Sequence, residues 1–156
     1  MTDTTKKTSK RPSKNRRKSR ELSLKAIYQH LISPSELPKL LSNAVDDPEF
    51  FHADEAYFRK LTTGVYNYIP ELDAQIAGFI DRPMNELSPI EHAVLCISSF
   101  ELIHDASIPY RVAINEGVEL AKIYGGTDGH KYVNGVLDKI AESVRPQEFG
   151  QSGKTK

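Results

Sequence analysis

The chain of 156 residues contains one cysteine and no tryptophan. The cysteine, Cys96, has no partner for an internal disulfide and lies in an apolar run. Packing alone must therefore hold the fold, and a reducing, cytoplasmic setting is expected. Long hydrophobic runs are missing too: the longest, around Ile90 to Ile103, is interrupted by Glu91, His92 and Glu101 and is too short to span a bilayer. The basic N-terminus leads into an amphipathic pattern, unlike the continuous apolar segment of a secretory signal. No stretch alternates at period two for long enough to build a sheet, so the expected class is all-α. At this length a single domain buries a real core without metal or disulfide support.

Signatures of catalysis are equally scarce. There is no Gly-x-Ser-x-Gly elbow, no Gly-x-x-x-x-Gly-Lys phosphate loop and no Gly-x-Gly-x-x-Gly fingerprint. The five histidines, His30, His52, His92, His104 and His130, are scattered along the chain without recognisable metal-ligand spacing, so neither a metal nor a cofactor is expected.

What the chain does have is an uneven distribution of charge. Formal net charge is zero, yet residues 1–20 hold nine Lys or Arg against the single acid Asp3, and the remainder holds 12 basic and 20 acidic residues. A basic arm on an acidic body suits nucleic-acid phosphates. Residues 1–14 are Lys, Thr and Ser with one Pro and no apolar residue after Met1, which predicts a disordered arm. From Ser19 a helix pattern places Leu24, Ile27, Tyr28 and Leu31 on one face, so the run Arg16, Arg17, Lys18 and Arg20 leads directly into a helix that packs.

Further helices follow in order. Ser35 is expected to cap a short helix carrying Leu37, Leu40, Leu41, Ala44 and Val45, and Asp54 to open a third with Tyr57, Phe58, Leu61 and Val65. Pro70 is expected to break that helix and start another with Leu72, Ile76, Phe79 and Ile80. Ser88-Pro89-Ile90-Glu91 is a capping box with proline at its permitted place, and the helix it opens is apolar around most of its circumference, as a central helix must be. Two more helices, one starting at Pro109 and one carrying Val133, Val136, Leu137 and Ile140, are joined through Gly125 and Gly126, where a left-handed glycine is expected. Thr127 or Asp128 is placed to cap the second. Pro146 ends the pattern, leaving residues 147–156 as a flexible tail and 15–146 as the folded domain.

At the joint between the last two helices Tyr124, Asp128, His130, Lys131 and Tyr132 are left over by the apolar stripes. Tyrosine rings beside a lysine suit unpaired RNA bases, each stack contributing about 1–3 kcal/mol. The same rings also suit completion of the core, and both readings stay open at this point.

The segments RRKSRELSLKAIYQ, YFRKLTTGV, SPIEHAVLCISSFEL and IPYRVAINEGVELAKIYGGTDGHKYVNGVLDKI together closely resemble the NusB family of transcription antitermination factors, over about Arg16 to Pro146. The resemblance implies about seven helices in two packed bundles and a non-enzymatic role. It also implies binding of single-stranded boxA RNA in ribosomal RNA leaders together with the ribosomal protein NusE, in an assembly with RNA polymerase, NusA and NusG. Carried over position by position, it assigns Arg16, Arg17, Lys18, Arg20, Tyr124, Asp128, Lys131 and Tyr132 to RNA, and Tyr28, Leu31 and Glu91 to NusE. Here Tyr stands at 124 and 132 where the family often has Phe, and His92 replaces a familiar lysine. On this reading the joint completes an RNA surface begun by the basic run, with the protein a monomer or a homodimer. The alternatives are a helical protein-interaction module and an RNA-binding accessory subunit of an RNA-modifying enzyme.

Overall fold

The computed structural model describes residues 12–149, with side chains from Arg16 onward. The expected disordered arm falls almost wholly outside the described residues, as does the end of the expected tail. Within them the protein is all-helical. The helices are α1 (Pro12–Ile32), α2 (Leu37–Val45), α3 (Glu55–Ala77), α4 (Pro89–His104), α5 (Tyr110–Tyr124) and α6 (Gly129–Val144), with 3₁₀ turns at Pro48–His52 and Met84–Glu86. The chain forms two compact units, Met1–Thr63 and Gly64–Lys156, and α3 contributes to both.

In the first unit the helix runs from Pro12, seven residues before the apolar pattern that predicted it. Proline is at home in a first helical turn, and Lys, Arg, Ser and Asn extend a helix without needing an apolar face. Leu22, Ala44 and Phe58 make a small core with Leu41, Phe50 and Ala53 against it, and the Phe50 and Phe58 rings meet edge to face with centroids 5.7 Å apart. Ser23 and Thr62 share a buried hydrogen bond of 2.6 Å, which satisfies both hydroxyls. The residue preceding α2 is Glu36, without a side-chain cap. Ser35, expected there, has its hydroxyl donating to the Ser33 carbonyl at 3.2 Å and its N–H donating to His30 Nδ1 at 3.0 Å. Asp54 does open α3, its carboxylate accepting from the Tyr57 N–H at 3.0 Å.

Pro70 breaks nothing: α3 runs through it to Ala77, and Phe79 and Ile80 lie beyond the helix end. The ring sits on the exposed side, where the lost backbone hydrogen bond is open to water, and the buried stripe Leu61, Val65, Leu72 and Ile76 holds the helix together.

The second unit is built around α4. Ser88 Oγ accepts from the Glu91 N–H at 3.1 Å while Glu91 accepts from the Ser88 N–H, closing the capping box. All ten residues from Ala93 to Leu102 are buried. α5 and α6 pack against it, closely enough at Gly117 that a β-carbon there would collide with the Ser98 hydroxyl. On the α3 side, His92 Nε2 bonds Asp73 Oδ1 at 2.7 Å and the Cys96 thiol lies 3.5 Å from the same oxygen. Burial, reinforced by the Asp73 charge, pushes the Cys96 thiol well above its ordinary range.

The far end of α4 is closed by Arg145. Its guanidinium is buried and donates to the carbonyls of Glu101, Leu102, Asp105 and Ile108 at 2.8–3.2 Å. Arg145 also pairs with Glu148, whose carboxylate accepts from the Tyr110 N–H at 3.1 Å. Residues 146–149, placed by the sequence pattern at or beyond the end of the domain, thus form a further helical turn, with Phe149 against Tyr110 at 5.2 Å. The pattern missed it because four residues are too few to show a period.

Partial burial pushes the Glu148 carboxyl up, but the Tyr110 N–H and the Arg145 charge outweigh it and leave it below its usual range. A carboxylate lowered in the folded state stabilises above its unfolded value of about 4.3 and loses that contribution as pH falls through its folded value. Glu148→Gln should therefore lower the melting temperature at pH 7, with the gap to wild type shrinking between pH 5 and pH 3; a gap constant with pH would exclude the ion pair as its source. Cys96 should resist a thiol-exchange reagent at pH 8 in the native protein and react fully once unfolded in guanidinium, since the thiolate is the nucleophile. Rapid native labelling would contradict its burial.

Candidate nucleic-acid interface

The four basic residues predicted to meet RNA have different surroundings on α1. Arg16 lies 4.3 Å over the Tyr57 ring and Arg20 lies 5.4 Å from the same ring. Arg20 is only 4% exposed, packed beside Tyr57. Lys18 bonds Glu21 at 2.9 Å and Glu49 at 3.1 Å, and these two carboxylates hold its ammonium above the ordinary lysine range. Arg17 is exposed. Within little more than one helical turn, Arg16 and Arg20, four residues apart, share the face against Tyr57, while Arg17 and Lys18 point elsewhere.

The α5–α6 joint lies in the second unit. Gly125 ends α5 in an extended conformation, φ −94° and ψ −174°, not the left-handed one expected. Glycine is needed for closeness instead: a β-carbon there would stand 2.6 Å from the Ala121 carbonyl oxygen. Asp128 occupies the N-cap position of α6 but makes no side-chain cap bond, and neither does any other residue there; its backbone carbonyl accepts from the Lys131 N–H at 3.1 Å. Asp128 and Lys131 are both exposed, with Oδ1 and Nζ 3.7 Å apart. A pair this open contributes little to stability.

Tyr132 is half-buried and is not a core residue. Its hydroxyl donates to Asp81 Oδ1 at 3.2 Å, and the Arg82 guanidinium lies 4.2 Å over its ring. Arg82 Nε in turn donates to the same Asp81 oxygen at 2.9 Å. Arg82 first and the Tyr132 hydroxyl second pull the Asp81 carboxyl below its usual range, while burial pushes the Tyr132 phenol up. Tyr124, the last residue of α5, is also half-buried. Asp81 and Arg82 lie in the connection between α3 and α4. Its approach to a tyrosine fifty residues later is tertiary and leaves no local signal.

Of the residues expected to face a protein partner, Tyr28 is 38% exposed and Leu31 half-buried near the end of α1, where Ile32 is also exposed. Glu91 is half-buried: besides the capping box, its carboxylate stands 2.9 Å from where a β-carbon on Gly129 would sit. The start of α6 thus rests close to the Glu91 side chain at the start of α4.

Among the described residues one set of potential metal ligands does come together: the ligand atoms of Asp73, His92 and Cys96 lie within 4.8 Å of one another. His92 and Cys96 are four apart on α4, a spacing the sequence reading passed over. A hydrogen bond from His92 to Asp73, with the buried Cys96 thiol 3.5 Å from the same carboxylate oxygen, draws these groups together.

Residues 17–142 match the NusB family profile. The transcription antitermination protein NusB of Methylobacillus flagellatus is 61% identical over 144 residues, covering 92% of this chain and 94% of that protein. The corresponding protein of Thiobacillus denitrificans is 48% identical over 140 residues, covering 90% and 97%. Among solved structures, T. maritima NusB superposes with a TM-score of 0.74 at 28% identity, over 86% of this chain and 96% of that one. A chain in a crystal structure of the antitermination factors NusB and NusE with double-stranded RNA gives 0.70 at 22% identity, over 81% and 96%, and bears on the fold alone. With agreement over most of its length at these identities, the chain belongs to the NusB family of transcription antitermination proteins.

Proposed function

We propose that this protein binds boxA-type single-stranded RNA of ribosomal RNA leaders together with the ribosomal protein NusE. The complex would act in the cytoplasm with RNA polymerase, NusA and NusG to suppress premature termination. The observation that carries the reading is the α5–α6 joint, where Asp128, Lys131 and Tyr132 stand outside the core at the end of two otherwise apolar helix stripes. The family supplies the process, and the solved structure of the same fold with NusE and double-stranded RNA names the partners to test.

The residues divide the work by exposure. Arg17 neutralises phosphate, Lys18 exchanges its carboxylate partners for phosphate, and Arg16 and Arg20 hold the run against Tyr57. Lys131 adds charge in the second unit, while Tyr132 and Tyr124 present rings to bases. Tyr28, Leu31 and Glu91 serve toward NusE, the exposed Ile32 extending the apolar part of that surface.

The test is a titration of boxA RNA, a scrambled strand and a duplex, with and without NusE, across a salt series. Affinity for single-stranded boxA should fall with salt at a log-log slope of about −0.7 per phosphate contact. Arg17→Ala should make that slope shallower by about 0.7 at unchanged melting temperature. Arg20→Ala should lower the melting temperature, because it removes a packed guanidinium. Tyr132→Ala should weaken binding about tenfold, within the range for one lost stack. Equal affinity for boxA and scrambled RNA with NusE present would overturn the reading, and salt-independent affinity would leave a helical protein-interaction module in its place.

A further inference from the structure

We infer that Asp81 and Arg82 belong to the RNA-reading element of the second unit and act by pre-setting Tyr132; the inference rests on the RNA-binding reading above. Three side chains meet there through three pairwise contacts. Asp81 Oδ1 accepts from both the Tyr132 hydroxyl, at 3.2 Å, and Arg82 Nε, at 2.9 Å, and the Arg82 guanidinium lies 4.2 Å over the ring. A ring held at its hydroxyl and on one face has lost rotamer freedom before any ligand arrives, so less entropy is lost on binding. The arrangement depends on tyrosine: a phenylalanine at this position keeps a stacking face but has no hydroxyl to give Asp81.

The geometry assigns distinct tasks. With Arg82 on one face of the ring, a base stacks on the other. Among the described residues Arg82 hydrogen-bonds through Nε alone, and its side chain is 39% exposed, so the Nη edge faces the phosphate next to that base. The negative charge of Asp81, which would otherwise repel the strand, is offset by Arg82 beside it. Arg82 thereby acts as a positioning residue for Tyr132 and as a phosphate ligand, and Asp81 as the positioning residue for both. Nothing in the local sequence marks this pair.

The experiment measures anisotropy of a labelled single-stranded boxA RNA with the full chain and NusE, for wild type, Arg82→Ala, Arg82→Lys, Tyr132→Phe, Tyr132→Ala and the double variant Arg82→Ala with Tyr132→Ala. Arg82→Ala should bind about tenfold more weakly with a salt slope shallower by about 0.7, at an unchanged melting temperature because the residue is exposed. Arg82→Lys should keep the slope and lose part of the affinity, since an ammonium carries the charge without the planar fork. Tyr132→Phe should lose about threefold with no change in slope. The double variant should lose less than the product of the two single losses, because the residues work as one unit. Wild-type affinity and slope in Arg82→Ala, or strictly multiplicative losses in the double variant, would overturn the inference while leaving RNA binding intact. Failure of wild type itself to bind the strand would remove the RNA-binding reading and this inference with it.

Discussion

A helix with no face for solvent has to be enclosed, and α4 is such a helix: every residue from Ala93 to Leu102 is buried, Ser98, Ser99 and Glu101 included. Each large apolar side chain withdrawn from water along it contributes about 1.5–3 kcal/mol, so the arrangement that covers all sides wins over any that leaves one open. α5 and α6 supply much of that cover and must approach closely, which explains Gly117 against Ser98 and Gly129 against Glu91. Both ends of α4 are closed by polar means, the capping box at Ser88 and the Arg145 guanidinium on four carbonyls. The helix dictates the frame, and the joint between α5 and α6 is where the frame leaves polar groups over.

This frame places the protein's distinctive polar groups at its edges. The chain is an antitermination factor, not an enzyme. Its distinctive groups sit on helix ends and in loops: Lys131 and Asp128 at the start of α6, and Asp81 and Arg82 before α4. Residues there are free of the core's demand for apolar surface while remaining anchored to it, which suits recognition by a shape already in place. The basic run of α1 follows the same logic within the first unit, where Tyr57 holds Arg16 and Arg20.

Much of this was legible in the residues. Apolar spacing predicted the central helix, cap chemistry the box at Ser88, and proline the start of α5 after Pro109, because each depends on neighbours within one or two turns. The misreadings arose where a local rule met a tertiary override. Pro70 breaks helices in isolation, yet a buried stripe on both sides of it carried α3 through. Gly125 was read for its freedom to turn left-handed, whereas it serves by having no β-carbon beside the Ala121 carbonyl. Ser35 had the right chemistry for a cap, but its hydroxyl and N–H bond backward to Ser33 and His30.

The helical class, the enclosed α4 and the residues left outside the apolar stripes follow from the residues alone, since hydrophobic period and capping chemistry are properties of neighbours along the chain. What those leftover residues do to one another depends on the packed fold. It buried Arg20 beside Tyr57 while leaving Arg17 exposed, took up Glu91 against Gly129, and set Arg82 over Tyr132. The reason is that burial and ring contacts are fixed by whichever distant element arrives, and no spacing along the chain records that arrival.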